Sequence, residues 1–478
     1  MERWRSRADP LRAGNSKVVL VSPYDLGRQP FALAEPAALL ERAGFGVTCL
    51  DLSRQKLDSI DWRETVLIAL HLGMHTATRI ALEALPRVRA LAPGARLCAY
   101  GLYAPMNAAL LRARGIGEVL GGEFEPDLIS AAQRAANGAP DTTPAGAVIR
   151  YAKVEFAVPQ RAGLPALSRY ARLVLPDGGE RTVGFADASR GCKHRCRHCP
   201  VVPVYQGRFR AVPAEIVLAD IRQQVAQGAQ HVSFGDPDFL NGPTHALRIV
   251  RALHAEHPAL TWDATIKVQH LIEHAALLPE FRRCGCLFIT SAAEAVDNRI
   301  LALLAKNHTC ADFERAVALL RAADIAFAPT FVAFTPWTTL EGYCALLDAV
   351  ARLGLIENVP PVQFTIRLLV PEGSELLKLA GFRELLEPFD QKLLGYPWHH
   401  RDPRVDRLQQ QLQDLVGRPE TQALPRREVF AAIWRMAHAA PGGIAPLPAN
   451  DHAGGPIPRL SEPWFCCAEP TSQQLATF

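Results

Sequence analysis

The sequence predicts an α/β protein in which a doubly wound, flavodoxin-like N-terminal domain precedes a partial parallel (β/α)6 barrel and a C-terminal helical and irregular extension. Short apolar runs alternate with helical patterns in two separate series, and the turn-forming stretch 137–146 lies between them. A chain of 478 residues also exceeds one ordinary domain of about 150 residues. The predicted parts are a doubly wound domain over 1–140, a linker over 141–180, the barrel over 181–375 and the extension over 376–478.

The first series has the apolar runs of a parallel sheet. Strands are predicted at 17–21, 47–50, 66–69 and 96–100, with helices at 30–43, 77–91 and 105–113. Strands that are apolar throughout, with helices between them, indicate a sheet covered on both faces. In such a sheet, ligands bind beyond the carboxyl ends of the strands.

The second series repeats the pattern with six strands and a helical segment in every gap. The predicted strands are 183–188, 231–234, 261–266, 287–290, 325–332 and 362–369. This arrangement favours a partial barrel, whose catalytic groups gather at the carboxyl ends of the strands. The extension contains one predicted helix, 427–440, followed by a stretch rich in glycine and proline.

Composition excludes several classes of protein. Apolar residues make up 49% of the chain and charged residues 21%, and the 52 basic and 48 acidic side chains leave a net charge of +4. A disordered or fibrous chain is therefore excluded, and no basic stripe favours nucleic-acid binding. The sequence has neither an uninterrupted apolar run of membrane-spanning length nor a secretory signal. We expect a cytoplasmic protein that binds neither nucleic acid nor membranes.

Three of the eleven cysteines crowd into one short segment. Cys192, Cys196 and Cys199 have the spacing C-x3-C-x2-C, directly after the first barrel strand. Three thiolates this close can converge on one inorganic cluster, and the basic neighbours favour thiolates. A zinc site usually takes four ligands as two separated pairs, although His194 or His198 could supply a fourth. We therefore predict that the three cysteines are metal ligands, with an iron–sulfur cluster favoured over zinc.

At these cysteines the chain resembles the radical S-adenosylmethionine (SAM) superfamily, over residues 181–375. The resemblance implies that the three cysteines ligate a [4Fe–4S] cluster whose open iron binds the amino and carboxylate groups of SAM. One electron, supplied by a flavodoxin or ferredoxin, would then cleave a carbon–sulfur bond of SAM. The substrate would be a small molecule.

The same resemblance implies a set of cofactor-binding residues at strand ends. The match to the family's glycine-rich motif is partial, because only one glycine is present there, and a plain strand-end turn is the alternative. For the glutamate of the set, the alternative is a charge at a helix N-terminus. Polar residues that point into a barrel are costly unless they bind something. The set comprises Gly235, Asp236, Pro237, Asp238, Lys267, Ser291, Glu294 and Arg367.

The C-terminus carries a second cysteine motif, Cys466-Cys467-Ala468-Glu469-Pro470. It resembles the radical SAM family named for its Cys-Cys-Ala-Glu-Pro tail. A sister family with a different tail is linked to arsinothricin biosynthesis, where a 3-amino-3-carboxypropyl group passes from SAM to trivalent arsenic. Paired thiols suit that soft ion, so Cys466 and Cys467 are predicted to act in catalysis by holding it. Reduction of a reaction intermediate by the pair is the alternative.

A doubly wound domain before the barrel also resembles the cobalamin-binding class of radical SAM enzymes. The Asp-x-His-x-x-Gly motif of many members is missing from the first loop, 24–30, so cobalamin is not favoured. Two alternatives to arsenic chemistry stay open at this point. One is cobalamin-dependent methylation, and the other is an iron–sulfur sensor of redox state or metalloid.

Overall fold

The computed structural model describes residues 16–139, 146–440 and 455–462. The described residues form two compact units, the first ending at Pro165 and the second beginning at Ala166. The stretch predicted as a linker is divided between them, because residues 148–150 form a strand of the first unit and residues 172–174 a strand of the second.

The first unit is built on a six-stranded parallel sheet of order β2-β1-β3-β4-β5-β6. This order is flavodoxin-like and confirms the predicted doubly wound class. Its strands are β1 (Lys17–Ser22), β2 (Gly46–Asp51), β3 (Thr65–His71), β4 (Arg96–Tyr100), β5 (Glu118–Gly122) and β6 (Val148–Arg150). Its helices are α1 (Phe31–Arg42), α2 (His75–Leu91), α3 (Tyr103–Met106), α4 (Ala108–Ala113) and α5 (Glu125–Ala136).

Burial in this sheet has the pattern that helices on both faces require. Four consecutive residues of β1, Val18 to Val21, have no solvent exposure. Side chains of a strand alternate between the two faces, so both faces must be covered at β1. On one face Leu33, Leu40 and Leu128 of the helices pack in the same apolar cluster as Leu20.

The second unit is a curled half-barrel whose sheet has the order β14-β13-β12-β11-β8-β7-β15. In this sheet, the parallel strands are β8, β11, β12, β13 and β14, and β7 and β15 add an antiparallel edge. The strands of the unit are β7 (Arg172–Val174), β8 (Glu180–Ala186), β9 (Ser189–Gly191), β10 (Phe209–Ala211), β11 (His231–Phe234), β12 (Thr261–Thr265), β13 (Cys286–Glu294), β14 (Ala326–Phe331) and β15 (Arg459–Leu460).

Helices follow these strands and continue into the C-terminal extension. They are α6 (Val201–Tyr205), α7 (Ala214–Ala226), α8 (Pro243–Glu256), α9 (Val268–Glu273), α10 (Leu278–Arg283), α11 (Asn298–Leu303), α12 (Cys310–Ala322), α13 (Leu340–Arg352), α14 (Pro403–Gly417), α15 (Pro419–Gln422) and α16 (Arg426–Ala439). Among the described residues, no helix is both long enough and apolar enough to cross a membrane.

The half-barrel has five parallel strands rather than the six that the sequence predicted. The predicted sixth strand, 362–369, begins as a 3-10 helix over Pro361–Phe364, and beyond that helix it forms one isolated parallel bridge, between Arg367 and Phe334. Pro360 and Pro361 explain the difference, because proline fixes φ and has no N–H to donate to a strand ladder. The extension also contains α14, a helix that the sequence analysis missed, although Val405, Leu408 and Leu412 have helical spacing.

Gln224 of α7 completes the hydrogen bonding of β8 where that strand loses its antiparallel neighbour. The pairing of β8 with β7 ends at Thr182. Beyond it, the buried Gln224 side chain accepts from the Phe185 N–H at 2.7 Å and donates to the Phe185 carbonyl at 3.0 Å. The glutamine amide thus takes the place of a strand partner.

Replacing this amide tests how much the edge of β8 depends on it. Gln224→Met keeps the side-chain length but leaves both Phe185 backbone groups buried without partners. We expect the free energy of unfolding to fall by about 1–3 kcal/mol in urea titrations. Gln227→Met, at the exposed end of the same helix, is the control and should leave stability near wild type. Equal stability of the two variants would contradict this role.

Candidate functional site

The cysteine loop leaves the half-barrel through a short hairpin. Strand β9 pairs antiparallel with β10, which follows the loop, so the loop is closed at its base. Gly191 ends β9 with a φ of 71°, and a Cβ there would lie 2.3 Å from the Arg208 carbonyl oxygen. Only glycine fits both this conformation and this contact. The hairpin therefore places Cys192 at a defined point beyond the carboxyl end of β8.

The three predicted ligands lie together on this loop. Cys192 and Cys196 are buried, Cys199 is partly buried, and none forms a disulfide. The Cys199 N–H donates to the Cys196 carbonyl at 3.1 Å, which forms a tight turn between two of the thiols. Burial raises the pKa of the Cys192 thiol. A thiolate at this position therefore requires a cationic partner, which a metal cluster supplies.

Two buried lysines bring positive charge to the same loop. Lys267 lies between β12 and α9, and its Nζ is 3.6 Å from the Cys196 Sγ. Burial alone would lower the pKa of Lys306, but Glu294 together with Cys196 and Cys199 outweighs burial and raises it. The Lys306 ammonium therefore stays charged and favours negative charge on the loop.

Glu294 forms a buried ion cluster with His198 of the cysteine loop and with Lys306. Its Oε1 lies 2.9 Å from the His198 Nε2 and 3.3 Å from the Lys306 Nζ. Burial alone would raise the pKa of Glu294, but Lys306 and His198 lower it to about 2. Glu294 was predicted from the sequence as a cofactor-binding residue, but its partner Lys306 was not predicted. A lone lysine after a short helix has no sequence pattern that reveals a buried ion pair.

The turn after β11 contacts β8 and the residues that lead into the cysteine loop. A Cβ on Gly235 would lie 2.1 Å from the Phe185 ring, so the close approach of β8 requires glycine. The buried Asp236 carboxylate accepts hydrogen bonds from the Ala188 N–H at 3.0 Å and from the Ser189 hydroxyl. Burial, with Asp187 nearby, raises the pKa of Asp236 to about 7. Asp236 therefore anchors the residues that lead into the cysteine loop, and Pro237 follows it.

The remaining predicted site residues lie in different environments. Ser291 of β13 is fully buried, and its hydroxyl has no hydrogen-bond partner among the described residues. Arg367 instead pairs with Asp406 at 2.7 Å and stacks 3.6 Å over the ring of Trp398, so it is held by the C-terminal extension. Cys466 and Cys467 lie outside the described residues.

The first loop of the first unit does not fit a histidine-ligated cobalamin. It contains no histidine, and Tyr24 and Leu26 are buried. The Gln29 side chain donates to the Pro165 carbonyl at 2.9 Å and accepts from the Arg161 guanidinium at 2.7 Å, both within the unit. Cobalamin bound by this unit would therefore lack a histidine ligand from this loop.

Residues 188–336 match the family model of the radical SAM superfamily. The match includes the cysteine loop, the turn after β11 and strands β12, β13 and β14. The protein carries a radical SAM domain. The cofactors of such a domain are a [4Fe–4S] cluster and SAM, and the loop fits the cluster because it carries three thiols outside any disulfide and lies beside two buried lysines.

Curated relatives share only part of the chain. The tRNA-2-methylthio-N(6)-dimethylallyladenosine synthase of Chloroflexus aurantiacus is 28% identical over 184 residues, which are 34% of this chain and 37% of the relative. The synthase of the same name from Haemophilus influenzae is 24% identical over 200 residues, 40% of this chain and 42% of the relative. The chain thus spans less than half the length of these relatives.

Solved structures share the fold over more of the chain. The radical SAM methyltransferase TsrM from Kitasatospora setae, with cobalamin and a [4Fe–4S] cluster bound, aligns with a TM-score of 0.57 and 20% identity over 71% of this chain and 70% of TsrM. The cobalamin-dependent SAM radical enzyme OxsB aligns with a TM-score of 0.62 and 14% identity over 84% of this chain and 67% of OxsB. These similarities confirm the predicted fold class.

The Glu294–Lys306 pair gives a testable prediction for the radical SAM domain. Lys306→Met leaves the carboxylate buried without its lysine, and we expect the free energy of unfolding to fall by about 3–5 kcal/mol. The double variant Glu294→Gln, Lys306→Met removes both charges and should recover part of that loss. Denaturant titration of the single and double variants measures both effects.

A surface lysine provides the matched control. Lys378 also pairs with a glutamate, Glu375, at 2.6 Å, but its side chain is 70% exposed. Lys378→Met should therefore change stability very little, because water screens the pair. If Lys306→Met and Lys378→Met lowered the free energy of unfolding by the same small amount, the buried pair would not stabilise the fold more than a surface pair does.

Proposed function

We propose that the protein is a transferase that cleaves SAM reductively and passes a group from SAM to a small acceptor. The observation that carries the proposal is the cysteine loop, with two of its three thiols buried and two buried lysines beside it. Cys192, Cys196 and Cys199 would hold a [4Fe–4S] cluster there, and that cluster would supply the binding of SAM and the electron that breaks a carbon–sulfur bond. A flavodoxin or ferredoxin is the proposed reductant.

Residues of the chain set the conditions for this reaction. Lys267 and Lys306 stabilise the negative charge of the thiolates, and burial of Cys192 and Cys196 keeps water away from those two. Ser291 has an unpaired buried hydroxyl, and a polar group of SAM is the partner that we propose for it. Asp236 holds the residues that lead into the cysteine loop, and Gly235 lets the end of β11 lie close to β8.

Trivalent arsenic is the acceptor that we propose, and a 3-amino-3-carboxypropyl group is the group transferred. Support comes from the adjacent thiols of Cys466 and Cys467 in the Cys-Cys-Ala-Glu-Pro motif. Trivalent arsenic is soft and thiophilic, so a thiol pair is a suitable carrier for it. The absence of histidine from the first loop also favours a reaction that needs no histidine-ligated cobalt.

Cobalamin-dependent methylation is the second candidate. Its support is the fold shared with TsrM, a methyltransferase, and with OxsB, a cobalamin-dependent enzyme. The two candidates differ in the product that SAM leaves behind, so they can be separated by chemistry alone.

Product identification tests the proposal. The protein is reconstituted anaerobically and reduced with dithionite, and the products of SAM are identified by mass spectrometry with and without arsenite. We expect methylthioadenosine that depends on arsenite, because breaking the bond to the aminocarboxypropyl carbon leaves that nucleoside. A Cys192→Ala variant should form none.

Other products would overturn the arsenic proposal in distinct ways. S-adenosylhomocysteine, with cobalamin bound, would favour methylation. 5′-Deoxyadenosine would indicate hydrogen abstraction from a carbon substrate. Absence of cleavage by a protein with an intact cluster would favour a sensor of redox state or metalloid.

The tail thiols give a separate prediction. Cys466→Ala, Cys467→Ala should keep the iron content of the wild type and lose arsenite binding, measured by elemental analysis after gel filtration. The double variant Cys284→Ala, Cys310→Ala is the control, because it removes two thiols of the described residues that lie outside the cysteine loop. Wild-type arsenite binding without the tail thiols would refute their role as carrier.

A further inference from the structure

A cluster of potential ligands for a second metal lies beside the cysteine loop. It consists of His194 on the loop, Asp238 after β11 and His270 on α9. One ligand atom from each side chain lies within 4.8 Å of the other two. The Asp238 Oδ2 is 2.7 Å from the His270 Nδ1 and 3.3 Å from the His194 Nε2. Ligand atoms that share one transition-metal ion at about 2.0–2.2 Å stand roughly 3 Å apart, and each imidazole nitrogen has about this separation from the Asp238 oxygen.

The three atoms converge without forming hydrogen bonds. The His194 Nε2, Asp238 Oδ2 and His270 Nδ1 are buried, and none has a partner with hydrogen-bond geometry among the described residues. The other Asp238 oxygen, Oδ1, accepts from the Leu240 N–H at 3.3 Å. One oxygen is thus held by the backbone while the other faces two imidazoles. Metal-binding carboxylates are held in this way.

Charge also favours a cation at this position. Asp238 has no solvent exposure, and a buried carboxylate is costly without a positive partner. The Lys267 Nζ lies 3.6 Å from the Cys196 Sγ, whereas the Lys267 backbone N–H lies 3.5 Å from the Asp238 Oδ1. A divalent ion would neutralise the carboxylate while using neutral imidazoles as ligands.

Side chains around His270 supply the surroundings that a metal site needs. Its second ring nitrogen, Nε2, lies 3.9 Å from the Glu273 carboxylate. This separation is an ion-pair distance and too long for a hydrogen bond. Glu273 is exposed, and His274 beside it is partly exposed, so polar groups extend from solvent to His270 and form an entry path.

We propose that His194, Asp238 and His270 bind one divalent transition-metal ion, of the Zn²⁺ or Fe²⁺ class, in addition to the cluster. Two histidines and one carboxylate form a ligand set that both ions accept, with at least one position left open. The ion joins the cysteine loop to the end of β11 and to α9. The site does not depend on which acceptor receives the group from SAM.

Zinc content of the holoenzyme tests the proposal, since zinc is no component of the cluster. The reconstituted protein is washed with a chelator, given Zn²⁺, passed through gel filtration and analysed for zinc and iron. We expect about one zinc per chain in addition to the cluster iron. Asp238→Asn and His270→Gln should each weaken zinc binding at least tenfold while the cluster iron stays. His274→Gln is the matched control on α9 and should bind zinc like the wild type.

X-ray absorption at the zinc edge provides a measurement that needs no variant. The expected spectrum has only nitrogen and oxygen ligands. Sulfur ligands would place the zinc on cysteines and overturn the proposal. So would a wild-type holoenzyme that retains no zinc, or zinc binding that is lost in His274→Gln and kept in Asp238→Asn.

Discussion

Buried negative charge beside the cysteine loop is the constraint on which the site depends. Removing a carboxylate or thiolate from water costs several kcal/mol unless a cation stands next to it. The structure meets this cost with Lys306 and His198 at Glu294 and with Lys267 at Cys196. These partners come from the loop itself, from the end of β12 and from the segment after α11. The loop can therefore reach this arrangement only when the half-barrel has formed around it.

Close backbone contacts also fix the position of the cysteine loop. Gly191 and Gly235 stand where a Cβ would collide with Arg208 and Phe185. Asp236 holds the entry to the loop through Ala188 and Ser189. A loop fixed by backbone contacts and buried ion pairs presents its thiols in one geometry, and such preorganisation is what a cluster with one open iron requires.

The sequence predicted the strands well where apolar residues form short, bounded runs. Residues 231–234 and 96–100 are strands with the predicted bounds. The prediction failed at 362–369, where apolar residues are present but Pro360 and Pro361 precede them and remove a donor. Helix α14 was missed because its polar residues outnumber the apolar ones, and its four buried positions become evident only against α15, α16 and the 3-10 helix 361–364, on which it packs.

The sequence by itself determined the doubly wound and barrel classes and predicted the cysteine ligands, because periodicity and C-x3-C-x2-C spacing act over a few residues. Tertiary structure alone decided the partners of the charged residues. Glu294 meets Lys306, Arg367 turns to Asp406 and Trp398, and Asp238 meets His194 and His270. Distant segments become neighbours only when the strands assemble, and the energy of a buried charge depends on those neighbours rather than on local sequence.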